Sequence, residues 1–306
     1  MTANDKFMVV RPATIGEAQL ISCSIAETDY PEWAVGTLYA AGELVIVASA
    51  HRIYKSLVGA NLGNVPASSG ASWKDMGPTN RWRLFDQSSG SAASSPGSFE
   101  VVIKPGRADT VALVDVVANT VRVCQHLAGV LVYDQTITVT RRSAPTTSWF
   151  GYYFGAFDDP RTLLTFSNLV VDGTSQITVT IDAGTGVAEC GELLAGRASE
   201  IGWSQYGASA GTLDFSRKTE NPDTGQTTMV RRGFAKTMDV AVAVDADRVD
   251  AVKRRLDALR GLPILCMAVN PATYEALSIF GWLRDASVSI KYPSFSILTV
   301  KVEGLA

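Results

Sequence analysis

From Phe99 the chain repeats one pattern that limits its fold more than any other feature. Short runs rich in Val, Ile and Thr, bounded by Gly, Asp, Asn or Pro, recur about every ten to fifteen residues. The runs are "FEVVIKP", "TVALVDVV", "TVRVCQHL", "LVYDQTITVT", "SWFGYYFGAF", "LLTFSNLVV", "SQITVTID" and "VAECGELLAG". Strands this short, joined by turn residues, make an antiparallel β-sandwich, and a jelly roll is the simplest arrangement of them. Composition agrees: hydrophobic residues make up 46% and charged residues 19%, with Val, Ser, Thr, Gly and Ala frequent and Leu-rich helical periodicity scarce. At 306 residues the chain has room for two or three compact units.

The pattern divides into four parts. Residues 1–29 read as an N-terminal arm: "FMVVRPATIGEAQLISCSI" alternates imperfectly and carries an early Pro, as an edge strand does. Residues 30–79 form a small unit rich in aromatics and glycine, too small to hold much core alone. Residues 80–205 hold the sandwich; they include the strand-like "NRWRLFD" and the Ser- and Gly-dense "DQSSGSAASSPGS", read as a loop within the domain. Residues 206–306 change rhythm, with two extended arms around "ENPDTG", where Pro and Gly suit a chain reversal, predicting a long β-hairpin.

After the hairpin, "DADRVDAVKRRLDALRG" predicts an amphipathic helix. Val249, Val252, Leu256 and Leu259 share a face, Asp residues open it, and Gly261 with Pro263 stops it. Strands follow at "PILCMAV", "LSIFGWL", "ASVSIKY" and "SILTVKVEGL". In the last, Leu298, Val300 and Val302 fall on one face, with Thr299, Lys301 and Glu303 on the other. The fold class expected is therefore mainly β: a small β module, a jelly-roll-like sandwich and a C-terminal α+β domain.

Several function classes are disfavoured. A net charge of -3 and a pI near 5.5 offer no field for gathering phosphates, so no nucleic-acid partner is expected. The N-terminus lacks the pattern of a secretory signal, and every apolar run falls short of the roughly 20 residues needed to span a bilayer, so neither export by that route nor membrane insertion is expected. Cys23, Cys124, Cys190 and Cys266 lie far apart and read as free thiols.

Enzymatic signals are weak. "GASAG" places Ser209 in a G-x-S-x-G pattern, but the histidines, His51 and His126, both lie upstream of it, whereas such a hydrolase needs one downstream. Asp158 and Asp159 are adjacent and would point to opposite faces of an extended segment, so they would not flank a glycosidic bond. No spaced ligand set or phosphate loop is present, and neither metal, cofactor nor catalysis is expected.

Two sets of residues carry binding readings. Trp33, Tyr39, Tyr54 and Trp73 are many flat rings for so small a unit; they form either platforms stacking on sugar C–H groups or the unit's own core. Arg217, Lys218, Arg231, Arg232 and Lys236 gather on the hairpin, as a subunit interface, a site for an anionic partner, or a solvated strand face.

The aromatic spacing, with "NVPASSGASW", resembles the chitin/cellulose-binding modules of families 5 and 12 over residues 30–79. That resemblance implies surface aromatics stacking on polysaccharide, with Trp33, Tyr39, Tyr54 and Trp73 at the family's aromatic positions. The order "AETDYPEW", "NRWRLFD", sandwich, "SQYGASAGTLDFSRKTENPDTG", "RRGFAKTMDV" and "FGWLRDASVSIKYPSFSILTVKVEGL" is similar to bacteriophage tail or baseplate structural proteins. The C-terminal part resembles tail-tube and distal-tail domains that close into rings. These resemblances imply a virion tail subunit, made in the host bacterial cytoplasm. Its partners would be copies of itself, other tail or baseplate proteins and a host-surface polysaccharide. The rivals are a stand-alone polysaccharide-binding protein and, last, a glycan-degrading enzyme.

Overall fold

The computed structural model describes residues 6–139, 149, 153, 161–220, 225–269, 274–290 and 292–305. The expected strand "SWFGYYFGAF", the Asp158–Asp159 pair and most of the "ENPDTG" turn lie outside these residues.

Within them the chain is mainly β. In chain order the first strands are β1 (Lys6–Pro12), β2 (Leu20–Cys23), β3 (Leu44–Val47), β4 (Arg52–Ser56), β5 (Trp73–Pro78), β6 (Ala93–Ile103), β7 (Thr110–Val114), β8 (Thr120–Leu127), β9 (Val130–Thr138) and β10 (Leu163–Phe166). There follow β11 (Gln176–Cys190), β12 (Glu192–Ser204), β13 (Ser209–Asp214), β14 (Arg217–Glu220), β15 (Thr227–Val230), β16 (Phe234–Asp245), helix α1 (Val249–Ala258), β17 (Ile264–Met267), β18 (Ser278–Ser289) and β19 (Phe295–Gly304).

The central element is a nine-stranded antiparallel sheet, ordered β10-β7-β12-β1-β17-β18-β19-β16-β13. Because β12 also pairs with β16, at Trp203–Ala243 and Ser204–Val242, strands β12, β1, β17, β18, β19 and β16 close on themselves as a barrel. Alternation fills it. Phe7 and Val9, then Met238, Val240, Val242 and Val244, then Leu298, Val300 and Val302 point into one buried cluster. Helix α1 and the residue after it add Val252, Leu256 and Leu259 to that cluster, as the 3.6-residue period of these apolar positions requires.

Close approaches between strands in this wall need glycine. A Cβ on Gly281 would stand 2.1 Å from the Glu303 carbonyl oxygen, and one on Gly202 would stand 2.3 Å from that of Ala243. No other residue fits either place without moving a neighbouring strand.

Strands β10, β7 and β12 continue the barrel wall outward and pack on a second, five-stranded sheet, β2-β6-β11-β8-β9. Phe99, Val101, Ile103, Val111, Leu113, Phe166, Ile177, Val179 and Ile181 meet between the two sheets. Strand β12 thus takes part both in the barrel and in the packing of the two sheets.

Several local expectations are corrected. The arm's first strand, β1, is interior, paired with β12 on one side and β17 on the other; Pro12 ends it, where a missing N–H breaks no ladder bond. "NRWRLF" is a 3-10 helix, Asn80–Phe85, with Leu84 buried beneath it. Half of the Ser-rich stretch already belongs to β6, which absorbs Pro96 and Gly97 opposite a register shift in β11. "LSIFGWL" and "ASVSIKY" run together as β18, offset by an irregularity between Leu283 and Asp285. The amphipathic helix, the alternation of the last strand and the four free thiols are as expected.

Candidate functional site: a hairpin leaving the barrel

The hairpin is an extension of the barrel wall. Strand β12 runs along β16 as far as Ser204, opposite Val242, and Gln205 still donates its N–H to the Ala241 carbonyl at 2.8 Å. The chain then bulges through Tyr206 and Gly207, whose φ of +97° sits in the region glycine tolerates, and resumes as β13 along the same edge, from Ser209–Asp239 to Asp214–Phe234. Beyond that, β14 and β15 pair only with each other, from Arg217–Val230 to Glu220–Thr227.

Every residue of β13, β14 and β15 is exposed. The outer edge of β13 and both edges of the β14–β15 ribbon lack a partner strand among the described residues. Such edges offer free N–H and C=O groups to another chain.

The register sorts the side chains. Residues opposite one another share a face, so Lys236 with Thr212, Phe234 with Asp214 and Met229 with Lys218 lie on one side of the hairpin. There Met229 and Phe234, 65% and 50% exposed, flank a shallow groove of about 480 Å³ whose rim carries Arg231 and Arg232. The opposite face bears Arg217 with Val230, and Leu213 with Ala235.

The predicted basic residues are thus all exposed on one hairpin, with Lys218 and Lys236 on the groove side. Lys236 donates to Thr162 Oγ1 at 3.0 Å, and Lys218 lies 3.7 Å from Glu220. The carboxylate of Asp214 accepts from the Ser216 side chain and N–H and has Arg231 nearby, which together hold it below the usual carboxylate range. Sequence reasoning missed the apolar half of the site: Leu213, Phe215, Met229, Val230 and Phe234 read as ordinary strand residues. The available signal was their company, since each lies close to Arg, Lys, Ser or Thr in the sequence.

The aromatic residues of the small unit are placed differently from a sugar platform. Strands β3, β4 and β5 make a three-stranded sheet, and Tyr39, Tyr54 and Trp73 are 7%, 6% and 2% exposed at its centre, with Val45. Tyr39 meets Trp73 edge to face at 5.3 Å, and the Trp73 indole donates to the Asn64 carbonyl. These three rings are core, clustered with Val45 in a sheet that also buries Ile46 and Ile53, and a stacking role for them is corrected because all three are buried. Trp33 packs against them, partly exposed. The apolar side chains that the unit shows to solvent include Tyr30, Val35 and Leu38.

This unit is tied down at a polar joint. His51 lies flat on Trp82, ring centroids 4.3 Å apart, with Nδ1 3.0 Å from Glu27 and Nε2 3.0 Å from Glu17. Thr79 also donates to Glu27, and Asn80 N–H to Asp29.

Other candidate chemistry does not assemble. Ser209 is exposed in strand β13, lacking the strand-to-helix turn of a nucleophile elbow. Among the described residues no cluster of His, Cys, Asp or Glu is arranged to hold a metal, and no helix is long and apolar enough to cross a membrane. Comparison with protein-family models and with curated proteins found no match for this chain.

Proposed function

We propose that the chain is a structural subunit of a phage or prophage-derived virion tail or baseplate, assembling into a ring through the hairpin of residues 209–239. The observation that carries the assembly role is the hairpin itself: exposed side chains along β13, β14 and β15, unpaired strand edges, and apolar residues interleaved with arginines and lysines. A monomer gains nothing from such an edge and risks aggregation through it, whereas a neighbouring subunit can complete it. A repeated head-to-tail contact closes as a ring when its rotation allows.

The tail as the particle follows from the resemblance of the sequence to tail and baseplate proteins. In that reading β3–β5 are the carbohydrate-binding-module-like unit, the two packed sheets the jelly-roll-like sandwich, and the barrel with α1 the tail-tube-like domain. With Tyr39, Tyr54 and Trp73 in the core, Trp33 is the one of the four aromatic candidates left for a glycan contact, so assembly, not sugar binding, is the primary role.

The test is self-association of the full chain, measured by sedimentation over a range of concentrations, against a variant in which residues 215–232 are replaced by a short Gly-Ser turn. Wild type is expected to form oligomers and the variant to sediment as a folded monomer. A wild-type chain that stays monomeric at every concentration, or a shortened one that associates equally well, overturns the role.

A further inference from the structure

If the hairpin is an assembly element, as proposed above, its chemistry specifies the surface that receives it. The groove between Met229 and Phe234 is rimmed by Arg231 and Arg232, with Lys218 and Lys236 on the same face, and these four cations outnumber the acids Asp214 and Glu220 there, so the surface that fits it is acidic with apolar residues beside the acids. The chain itself carries one such region. Between Arg11 and Arg52 there is no lysine or arginine, while Glu17, Glu27, Asp29, Glu32 and Glu43 all fall there; these carboxylates outnumber the whole chain's net charge of -3.

Folding gathers most of them. Glu32 accepts the Ala48 N–H at 3.1 Å, and Glu17 and Glu27 grip His51, so three carboxylates surround the single turn 48–51. Asp29 lies against the same joint through Asn80. Exposed apolar side chains stand beside them in the chain: Tyr30, Val35 and Leu38 are 38%, 65% and 61% exposed. By contrast the acids near α1 are offset by Arg248, Lys253, Arg254 and Arg255 within the same stretch.

We propose that the basic groove of one copy's hairpin docks on this acidic surface of a second copy. The contact is heterologous: donor hairpin and acceptor surface lie on different parts of the chain, so each copy can give one and take one. Met229 and Phe234 would be covered by the aliphatic side chains of the acceptor, and the arginines would meet its carboxylates, adding orientation and speed to the encounter.

Two measurements test it. The first is sedimentation of a variant with Glu17→Gln, Glu32→Gln and Glu43→Gln, changes that keep an acceptor oxygen for the hydrogen bonds these residues make. Association is expected to weaken by about tenfold or more, the size of effect that charge complementarity at an interface supports, with the melting transition little changed. The second uses exposed positions that do not hold the fold. Met229→Cys and Leu38→Cys chains, mixed and mildly oxidised, are expected to give a disulfide-linked dimer containing one of each. Neither chain alone should give that product.

Loss of association in the hairpin-shortened protein, but unaltered association in the glutamine variant and no mixed dimer, would overturn the acceptor while leaving the hairpin's role intact. Cross-linking of Met229→Cys chains to one another would replace it with a hairpin-to-hairpin contact. If shortening the hairpin changes nothing, the role itself fails.

Discussion

The two ends of the arm formed by β12 and β13 run along the same partner strand, β16, yet live in different environments. At the barrel end β16 contributes Met238, Val240, Val242 and Val244, all nearly inaccessible, with β19 along one edge and β12 along the other at Val242 and Ala243. At the outer end the same strand shows Phe234 and Lys236 to solvent, and the arm opposite it has no second neighbour among the described residues. Strand formation therefore does not require a closed sheet here. The difference lies in what alternates: strict Val alternation drives the barrel shut, whereas Thr, Arg, Lys and isolated Met or Phe leave an exposed ribbon.

The sharpest way to break this contrast is to attack the sealed end. Phe7 is fully buried in the barrel, so Phe7→Ala removes a large side chain from a closed interior and is expected to cost about 3–5 kcal/mol, read as a fall in the denaturant midpoint with little change in slope. Gly281→Ala should follow, because its added methyl meets a backbone carbonyl that cannot rotate away; a loss of about 2–3 kcal/mol is expected, by the same denaturant titration. A loss under about 0.5 kcal/mol in either would mean that the barrel wall is far looser than its packing indicates.

A smaller effect compares two carboxylates on this arm. Glu192 opens β12, 4% exposed, with one hydrogen bond from the Gln87 N–H; burial, then the nearby Asp86, pushes its carboxyl up to about 9. Asp214 closes β13 in solvent and is pulled the other way.

The sign for Glu192 comes from linkage. The unfolded chain releases this proton in the ordinary carboxylate range and the folded one holds it to about 9, so its contribution is whole in acid and is lost as pH rises across that interval. Glu192→Gln should flatten the decline, leaving the variant more stable than wild type by about 1–3 kcal/mol at pH 8 and closer to it at pH 5. Melting temperatures at the two pH values check this; an equal gap at both would mean that Glu192 is ionised in the fold.

How much of this was legible depends on whether a residue's partner is near in sequence. The α1 stripe, the alternation of Leu298, Val300 and Val302, and the two arms β14 and β15 that flank the turn signals are local, and each forms as its spacing dictates. Closure of the barrel was not legible. It depends on β1 entering between β12 and β17, a pairing of Val9 with Ser199 and Cys266, and no local period encodes that. The small unit failed for a different reason: an aromatic at a given position reads the same whether it faces sugar or core, and only the packing of Tyr39, Tyr54 and Trp73 around Val45 decides for the core. On the hairpin the charged half was legible because charge is rarely buried. The apolar half was not, because Met229 and Phe234 look like core until the strands are seen to leave it.

The smallest expected effect sharpens the comparison most. Met229→Ser and Phe234→Ser remove as much apolar surface as many core substitutions do, but from side chains already largely in water in the free chain, so monomer stability should change by no more than about 0.5 kcal/mol. In the same proteins self-association should fall, because that surface is buried only when a second copy arrives. Stability is read by denaturation at a concentration too low for oligomers and association by sedimentation at a high one. If both substitutions destabilise the dilute monomer by more than about 1 kcal/mol, the ribbon packs against its own chain in solution, and the open end of the arm is as sealed as the barrel end. If stability holds while association collapses, the same strand pair serves two ends: alternation for folding, and exposed apolar residues among cations for a neighbour.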